Sequence, residues 1–221
     1  MDTVHKFIER HFTWVVVLTV AAAAAFAFHR HHLVDDAYIS FRYADNLAGG
    51  HGLVWNPGER VEGYSNFLWV LLVALGMKCG LAPEGFTYII SIPIFIGALV
   101  LTYILARRSL DSRIWALVVL VWVGFDRSVS AFATSGMETP LQLLLFVAVA
   151  GLVIFPGREG WSYGRLAAIS LLLAAALLTR PDSLLLAGAA AAALHVQGAF
   201  RGSRRAVAAF ALPFLSIAAV Y

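Results

Sequence analysis

Charge is scarce in this chain, and cysteine is scarcer. Only 13% of its 221 residues are Asp, Glu, Lys or Arg, and Cys79 is the single cysteine. A soluble domain carries about 25% charged residues, so the composition excludes an ordinary water-soluble globule. One cysteine excludes a disulfide framework within the chain and any metal site built on several cysteines. A fixed-period repeat and a low-complexity linker are both absent. The formal net charge is only +3, and the basic residues stand in short clusters between apolar runs. Clusters of that kind set orientation in a bilayer, and nucleic acid is not expected as a partner.

What the chain has in quantity is apolar length. Hydrophobic residues make up 61% of it, and the mean hydropathy is +0.80. Long apolar runs read as membrane spans, and here they lie near 13–28, 86–106, 113–125, 138–155, 164–179, 182–199 and 206–221. The pattern predicts an all-α, polytopic helical membrane protein of about seven spans. Residues 1–28 share with a signal peptide two early cations, Lys6 and Arg10, and the apolar run that follows. That run passes straight into His29, Arg30, His31 and His32 without a polar cleavage region, so it is read as an uncleaved first span.

Whether residues 65–80 also cross decides the topology. Their apolar part, Phe67 to Met77, is about 11 residues, short against the ~20 that a span needs. Charge gives the same answer. With the N-terminus cytoplasmic and 65–80 not crossing, ten of the sixteen basic residues lie inside: Lys6, Arg10, Arg107, Arg108, Arg113, Arg158, Arg165, Arg201, Arg204 and Arg205. Nine of the thirteen acids then lie outside. Crossing would put the 107–113 and 201–205 clusters outside, against the positive-inside bias. Residues 65–80 are therefore expected as a helix at the outer interface, with Trp69 at the headgroup level. Residues 35–48 read as a second amphipathic helix, with Ala37, Tyr38, Phe41, Ala44 and Ala48 on one face and Arg42, Asp45 and Asn46 on the other. Gly49–Gly52 and Asn56–Gly58 are turn signals. Residues 29–85 thus form a first outer loop of two membrane-parallel helices around a turn-rich connection.

Carboxylates gather at helix ends on that one face: Asp35 and Asp36, the 126–140 segment, and "TRPDS" at 179–183. Repetition at one boundary points to a site at the membrane interface. The motifs "DDAYISFRYADNLAGGHGLVWNPGERVEGYSNFLW", "TSGMETPL" and "TRPDSLLL", in that order, resemble the polyprenyl-phosphate-sugar-dependent glycosyltransferases of the GT-C superfamily, nearest to the bacterial arabinofuranosyltransferase-like branch. The resemblance implies a single GT-C-like transmembrane domain over 1–221, truncated at its C-terminus. It implies a bacterial plasma-membrane enzyme with an extracytoplasmic site. It also implies transfer of a sugar from a polyprenyl-phosphate donor to a glycan, lipid or protein acceptor.

That chemistry needs a base for the acceptor hydroxyl and donors for the departing lipid phosphate. Asp35 or Asp36 is expected to be the base. Helical neighbours point about 100° apart, so one faces the sugar, and Asp35 is preferred because it aligns with the leading acid of the family motif. Arg180 is expected at the phosphate, since arginine grips phosphate in a bidentate fork. Glu138 stands where related enzymes carry a second acid. Tyr38, Arg42, Tyr43, His51, Asn56, Glu62, Tyr64 and Asn66 are loop candidates for holding hydroxyls or phosphate. No cofactor is required by the pattern; a divalent cation is admissible beside the acids, but no metal ligand set is assigned.

Blander roles compete with each of these. Asp35 and Asp36 can simply cap a helix, Glu138 can cap the next one, Arg180 can snorkel to headgroups, and Arg42 can pair with Asp45 at the surface. The histidines at 29, 31 and 32 suit interfacial anchoring better than metal binding with Asp35. As whole-protein alternatives stand a transporter or lipid-carrier flippase and a non-catalytic GT-C-like subunit. Transporters bind near the bilayer midplane on broken helices, whereas here the span centres lack charge.

Overall fold

A computed structural model describes residues 2–59, 61–157 and 160–219, with side chains from residue 11 onward. Arg158 of the basic tally falls outside the described residues, as do the side chains of Lys6 and Arg10. Among the described residues the secondary structure is helical, with no strand. The helices are α1 Asp2–His29, α2 Asp35–Ala48, α3 Phe67–Lys78, α4 Pro83–Ser109, α5 Arg113–Phe125, α6 Arg127–Phe132, α7 Thr139–Ile154, α8 Tyr163–Thr179, α9 Leu184–Val196 and α10 Arg204–Ala218. A 3-10 turn, Pro181–Ser183, leads into α9.

Local chemistry explains many of the boundaries. Ser112, Asp126, Ser162 and Ser203 each accept a backbone N–H at the start of the helix that follows, satisfying donors that a helix N-terminus leaves open. Pro83 opens α4 at a position where its missing N–H costs nothing. Glycines close α2: Gly50 and Gly52 take positive φ in the turn that ends it.

Two helices are long and apolar enough to cross a membrane, His11–His29 and Pro83–Ser109. The other expected spans fold as apolar helices of 13 to 17 residues. At about 1.5 Å per residue these reach roughly 20–26 Å, short of a core about 30 Å thick. The surface between them is nonetheless apolar. Leu185 is 81% exposed and Trp122 75% exposed, and Ile114, Trp115 and Val196 join them. Large apolar patches of this kind suit lipid contact rather than water.

Three packed clusters hold the bundle. Val20, Ala23 and Ala27 of α1 meet Phe95 and Leu99 of α4 and Leu120 of α5. Ala37, Phe41, Tyr43 and Ala44 of α2 pack on Trp69, Val70, Val73 and Ala74 of α3. Val149 and Val153 of α7 join Leu166, Ile169 and Leu173 of α8, with Ala190 and Leu194 of α9 beside them. α10 runs along α8, where the N–H of Phe214, the residue after Pro213, donates to the Ser170 hydroxyl at 2.9 Å. Alanine at so many contacts lets helices approach closely, which matters in lipid, where apolar burial alone gives little drive.

Two expectations about the first loop are corrected. Helix α3 is apolar all round from Phe67 to Met77, so the amphipathic character belongs to α2 alone. On α2 the inward face is Ala37, Ser40, Phe41, Tyr43, Ala44 and Asn46, whereas Tyr38 is exposed. The cause is the 49–66 connection, which folds back along α2 and needs donors. Asn46 supplies them, its Nδ2 reaching the Val54 and Trp55 carbonyls at 2.8 and 2.9 Å.

Candidate active site

The segment 133–138 is wedged between the end of α1, the start of α2 and α3. The Val34 N–H donates to the Ser135 carbonyl at 3.1 Å, Thr134 Oγ1 donates to the Ala27 carbonyl at 3.4 Å, and Trp69 Nε1 donates to the Gly136 carbonyl at 2.9 Å. Gly136 makes the wedge fit. Its φ is +81°, and a Cβ there would sit 2.7 Å from Leu33 and 2.9 Å from Ala37. The wedge delivers Met137 and Glu138 beside the N-terminal half of α2.

A cleft of about 270 Å³ results. Asp36, Ile39 and Ser40 of α2 form one wall, Gly63 to Asn66 a second, Met137 and Glu138 a third, and Arg180 closes it. Thus Asp36, Glu138 and Arg180, each from a different polar segment of the sequence, share one space.

Glu138 is 2% exposed. Its Oε2 accepts from Asn66 Nδ2 at 2.8 Å and its Oε1 from Arg180 Nη1 at 3.2 Å. Asn66 also donates to Ser40 Oγ at 2.9 Å, so a buried hydrogen-bonded chain ties α2 to the head of α7. A buried carboxylate is tolerable only with such partners. Arg180 stays part-exposed and also donates from Nε to Asp182 Oδ2 at 3.3 Å. These two contacts leave Nη2 without a hydrogen-bond partner among the described residues, available to an anion. The capping role fails for Glu138, which makes no side-chain cap for α7, and Arg180 is held by two carboxylates.

Asp35 and Asp36 occupy the first turn of α2, and neither caps it; Val34 is the N-cap, without a side-chain bond. Only Asp36 lines the cleft. Asp35, preferred on the motif, is not part of that lining; helical neighbours leave the axis about 100° apart.

The other candidates divide. Tyr64 and Asn66 line the cleft. His51 and Glu62 do not; with Tyr64 they border an adjoining hollow of about 440 Å³. Glu62 and Tyr64 also border a third, of about 440 Å³, with apolar walls from Leu53, Phe67, Leu178 and Ile217. Tyr64 is common to all three. Tyr43 is a correction: it is buried, and its hydroxyl donates to the Val61 carbonyl at 2.8 Å, so it braces the loop instead of meeting a ligand. Gly63 passes close over that hydroxyl, at 2.8 Å from where a Cβ would stand. Arg42 is exposed and donates to the Trp55 carbonyl at 3.1 Å, rather than to Asp45. Asn56 donates to Glu59 at 3.1 Å, away from the cleft.

Ser40 is among the cleft residues that sequence reasoning missed, with Ile39, Gly63, Ser65 and Met137. It lies four residues after Asp36, on the same helical face, and that spacing could have found it. Among the described residues no group of three or more His, Cys, Asp or Glu side chains could hold a metal ion. His31 instead stacks on Phe28 and bonds its carbonyl.

The cleft can polarise a hydroxyl at Asp36 and receive an anion at Arg180. Over 144 residues the chain is 30% identical to the terminal beta-(1->2)-arabinofuranosyltransferase of Mycobacterium tuberculosis. The match takes in 59% of this chain and 22% of that protein, so the chain spans about a fifth of the length of this relative. No family model and no solved structure matches. The distant likeness supports a glycosyltransferase-like relationship.

Proposed function

We propose that this chain carries the donor and base site of a membrane glycosyltransferase of GT-C type, with all seven apolar segments in the bilayer and the cleft on the extracytoplasmic face. The donor is a polyprenyl-phosphate sugar, in the arabinofuranosyl class of the relative, and the acceptor is a hydroxyl of an envelope glycan, lipid or protein. One observation carries the reading. Asp36, Glu138 and Arg180 line a single polar cleft that meets, at Tyr64, a hollow walled by Leu53, Phe67, Leu178 and Ile217. A sugar phosphate on a long apolar tail has that same division.

The acceptor oxygen attacks the anomeric carbon as Asp36 takes its proton. The bond from that carbon to the phosphate oxygen breaks, and its electron pair leaves with the lipid phosphate. Arg180 Nη2 meets the phosphate, and Glu138 holds the guanidinium in place from behind. Removing a general base lowers turnover by about 10²–10⁴. Attack from the face opposite the phosphate inverts the anomeric centre. No step is assigned to a divalent cation.

The test uses the full chain in liposomes with a synthetic polyprenyl-phosphoryl arabinofuranose and an oligoarabinoside acceptor. Transfer that is lost in Asp36→Asn, with an unchanged melting curve, supports the reading. Full activity of that variant removes Asp36 from the mechanism. Donor-independent uptake of a solute without sugar transfer would instead favour a transporter.

A further inference from the structure

We infer a second lipid site at the other end of the bundle, in the groove between α4 and α7, taking an anionic diacyl phospholipid. The groove encloses about 630 Å³ and is lined by Leu101 and Ile104 of α4 and by Val147 and Leu152 of α7. Its mouth carries Arg108 and Arg165. Helix α7 separates it from the cleft. Glu138 precedes the first residue of this helix and Phe155 follows its last, and 16 residues at about 1.5 Å each set the two sites some 24 Å apart.

The two arginines are fixed in place. Arg165 donates from Nε and Nη2 to the Leu152 carbonyl, at 3.1 and 2.7 Å, and from Nη2 to the Phe155 carbonyl. These carbonyls belong to the C-terminal end of α7, where acceptors are left open and a cation is favoured. Arg108 lies 5.8 Å over the Phe155 ring. Among the described residues no carboxylate stands at ion-pair distance from either one. Their neighbour Arg107 differs, having Asp111 at 3.7 Å. Two held cations, with no carboxylate partner among the described residues, at the mouth of an apolar slot complement one kind of molecule: an anionic head on apolar chains.

Depth agrees with this. Arg107 and Arg108 end α4, Arg165 sits in the first turn of α8, and Arg204 and Arg205 open α10. A membrane face rich in arginine associates with the leaflet that holds anionic lipid, and basic pockets between helices on that side bind phosphate headgroups. The slot has room for chains because Gly151 faces open space; nothing stands within 4 Å of where its Cβ would be.

The test is native mass spectrometry of the delipidated full chain, titrated with dioleoylphosphatidylglycerol or dioleoylphosphatidylcholine. The expected result is adduct formation with phosphatidylglycerol at about fivefold lower lipid concentration. Arg108→Gln, at an exposed position, brings the two lipids close to parity. Gly151→Leu fills the slot and lowers the adducts of both. Arg107→Gln leaves the preference intact. Equal uptake of the two lipids by the unmodified chain overturns the proposal. So does phosphatidylglycerol binding that neither Arg108→Gln nor Gly151→Leu reduces, or a lipid-free dimer, which would mean that a second copy covers the groove. None of these readouts depends on sugar transfer.

Discussion

The side-chain amide of Asn66 donates to the buried carboxylate of Glu138 at 2.8 Å, across 72 positions of sequence. It joins the first loop to the head of α7, and through Glu138 it fixes Arg180. Replacing Asn66 with Ala leaves Glu138 Oε2 buried without that donor. The expected cost is about 1–3 kcal/mol, read as a lower melting temperature in detergent. Transfer falls as well, because the cleft loses a wall.

Arg180→Lys separates charge from geometry. Lysine keeps the positive charge but lacks the planar fork that holds Glu138, Asp182 and a phosphate together. The Michaelis constant for the lipid-linked donor is expected to rise about tenfold in Arg180→Lys and about a hundredfold in Arg180→Ala, the scale of one to two charged hydrogen bonds. Unchanged donor affinity in both variants removes Arg180 from the phosphate.

The two neighbouring aspartates are expected to behave differently. Asp36→Asn lowers turnover by about 10²–10⁴, whereas Asp35→Asn leaves it within about threefold, the scatter of surface changes. The comparison is made at saturating donor, so that binding does not enter. A large loss in Asp35→Asn with an active Asp36→Asn restores the assignment that the motif alignment suggests.

Gly136→Ala tests the wedge. The new methyl would stand 2.7 Å from Leu33 and 2.9 Å from Ala37, on a backbone with φ +81°. Strain and collision together cost about 1–3 kcal/mol. Quenching of Trp69 fluorescence follows the change, since the Trp69 indole is bonded to the Gly136 carbonyl.

Much of the site was legible in the chain as a string. Acids placed at helix ends pointed to Asp35 and Asp36 together, with Asp35 preferred, and to the segments that hold Glu138 and Arg180; of these, Asp36, Glu138 and Arg180 line one cleft. The helix of α2 was readable from its periodicity and from the glycines that end it. What could not be read was which way each polar side chain turned. Tyr43 and Asn46 look like solvent-facing candidates until the 49–66 connection folds over them and consumes their donors. Asp35 and Asp36 are indistinguishable by composition, and only the packing of Ala37 and Phe41 on α3 fixes the rotation of their helix. Of the seven spans expected, two form helices long and apolar enough to cross a membrane; the others are 13- to 17-residue helices, below the length at which hydropathy alone decides.

Arg180 rides on the end of α8, whereas Glu138 stands at the head of α7, and their 3.2 Å contact crosses between two helices packed through Val149, Val153, Leu166, Ile169 and Leu173. A shift of one residue along either axis moves them about 1.5 Å apart, enough to undo the bond. Bilayer thickness sets such offsets through hydrophobic mismatch. The catalytic constant is therefore expected to peak at one acyl-chain length and fall in thinner and thicker vesicles, making lipid composition a dial on this protein as well as its solvent.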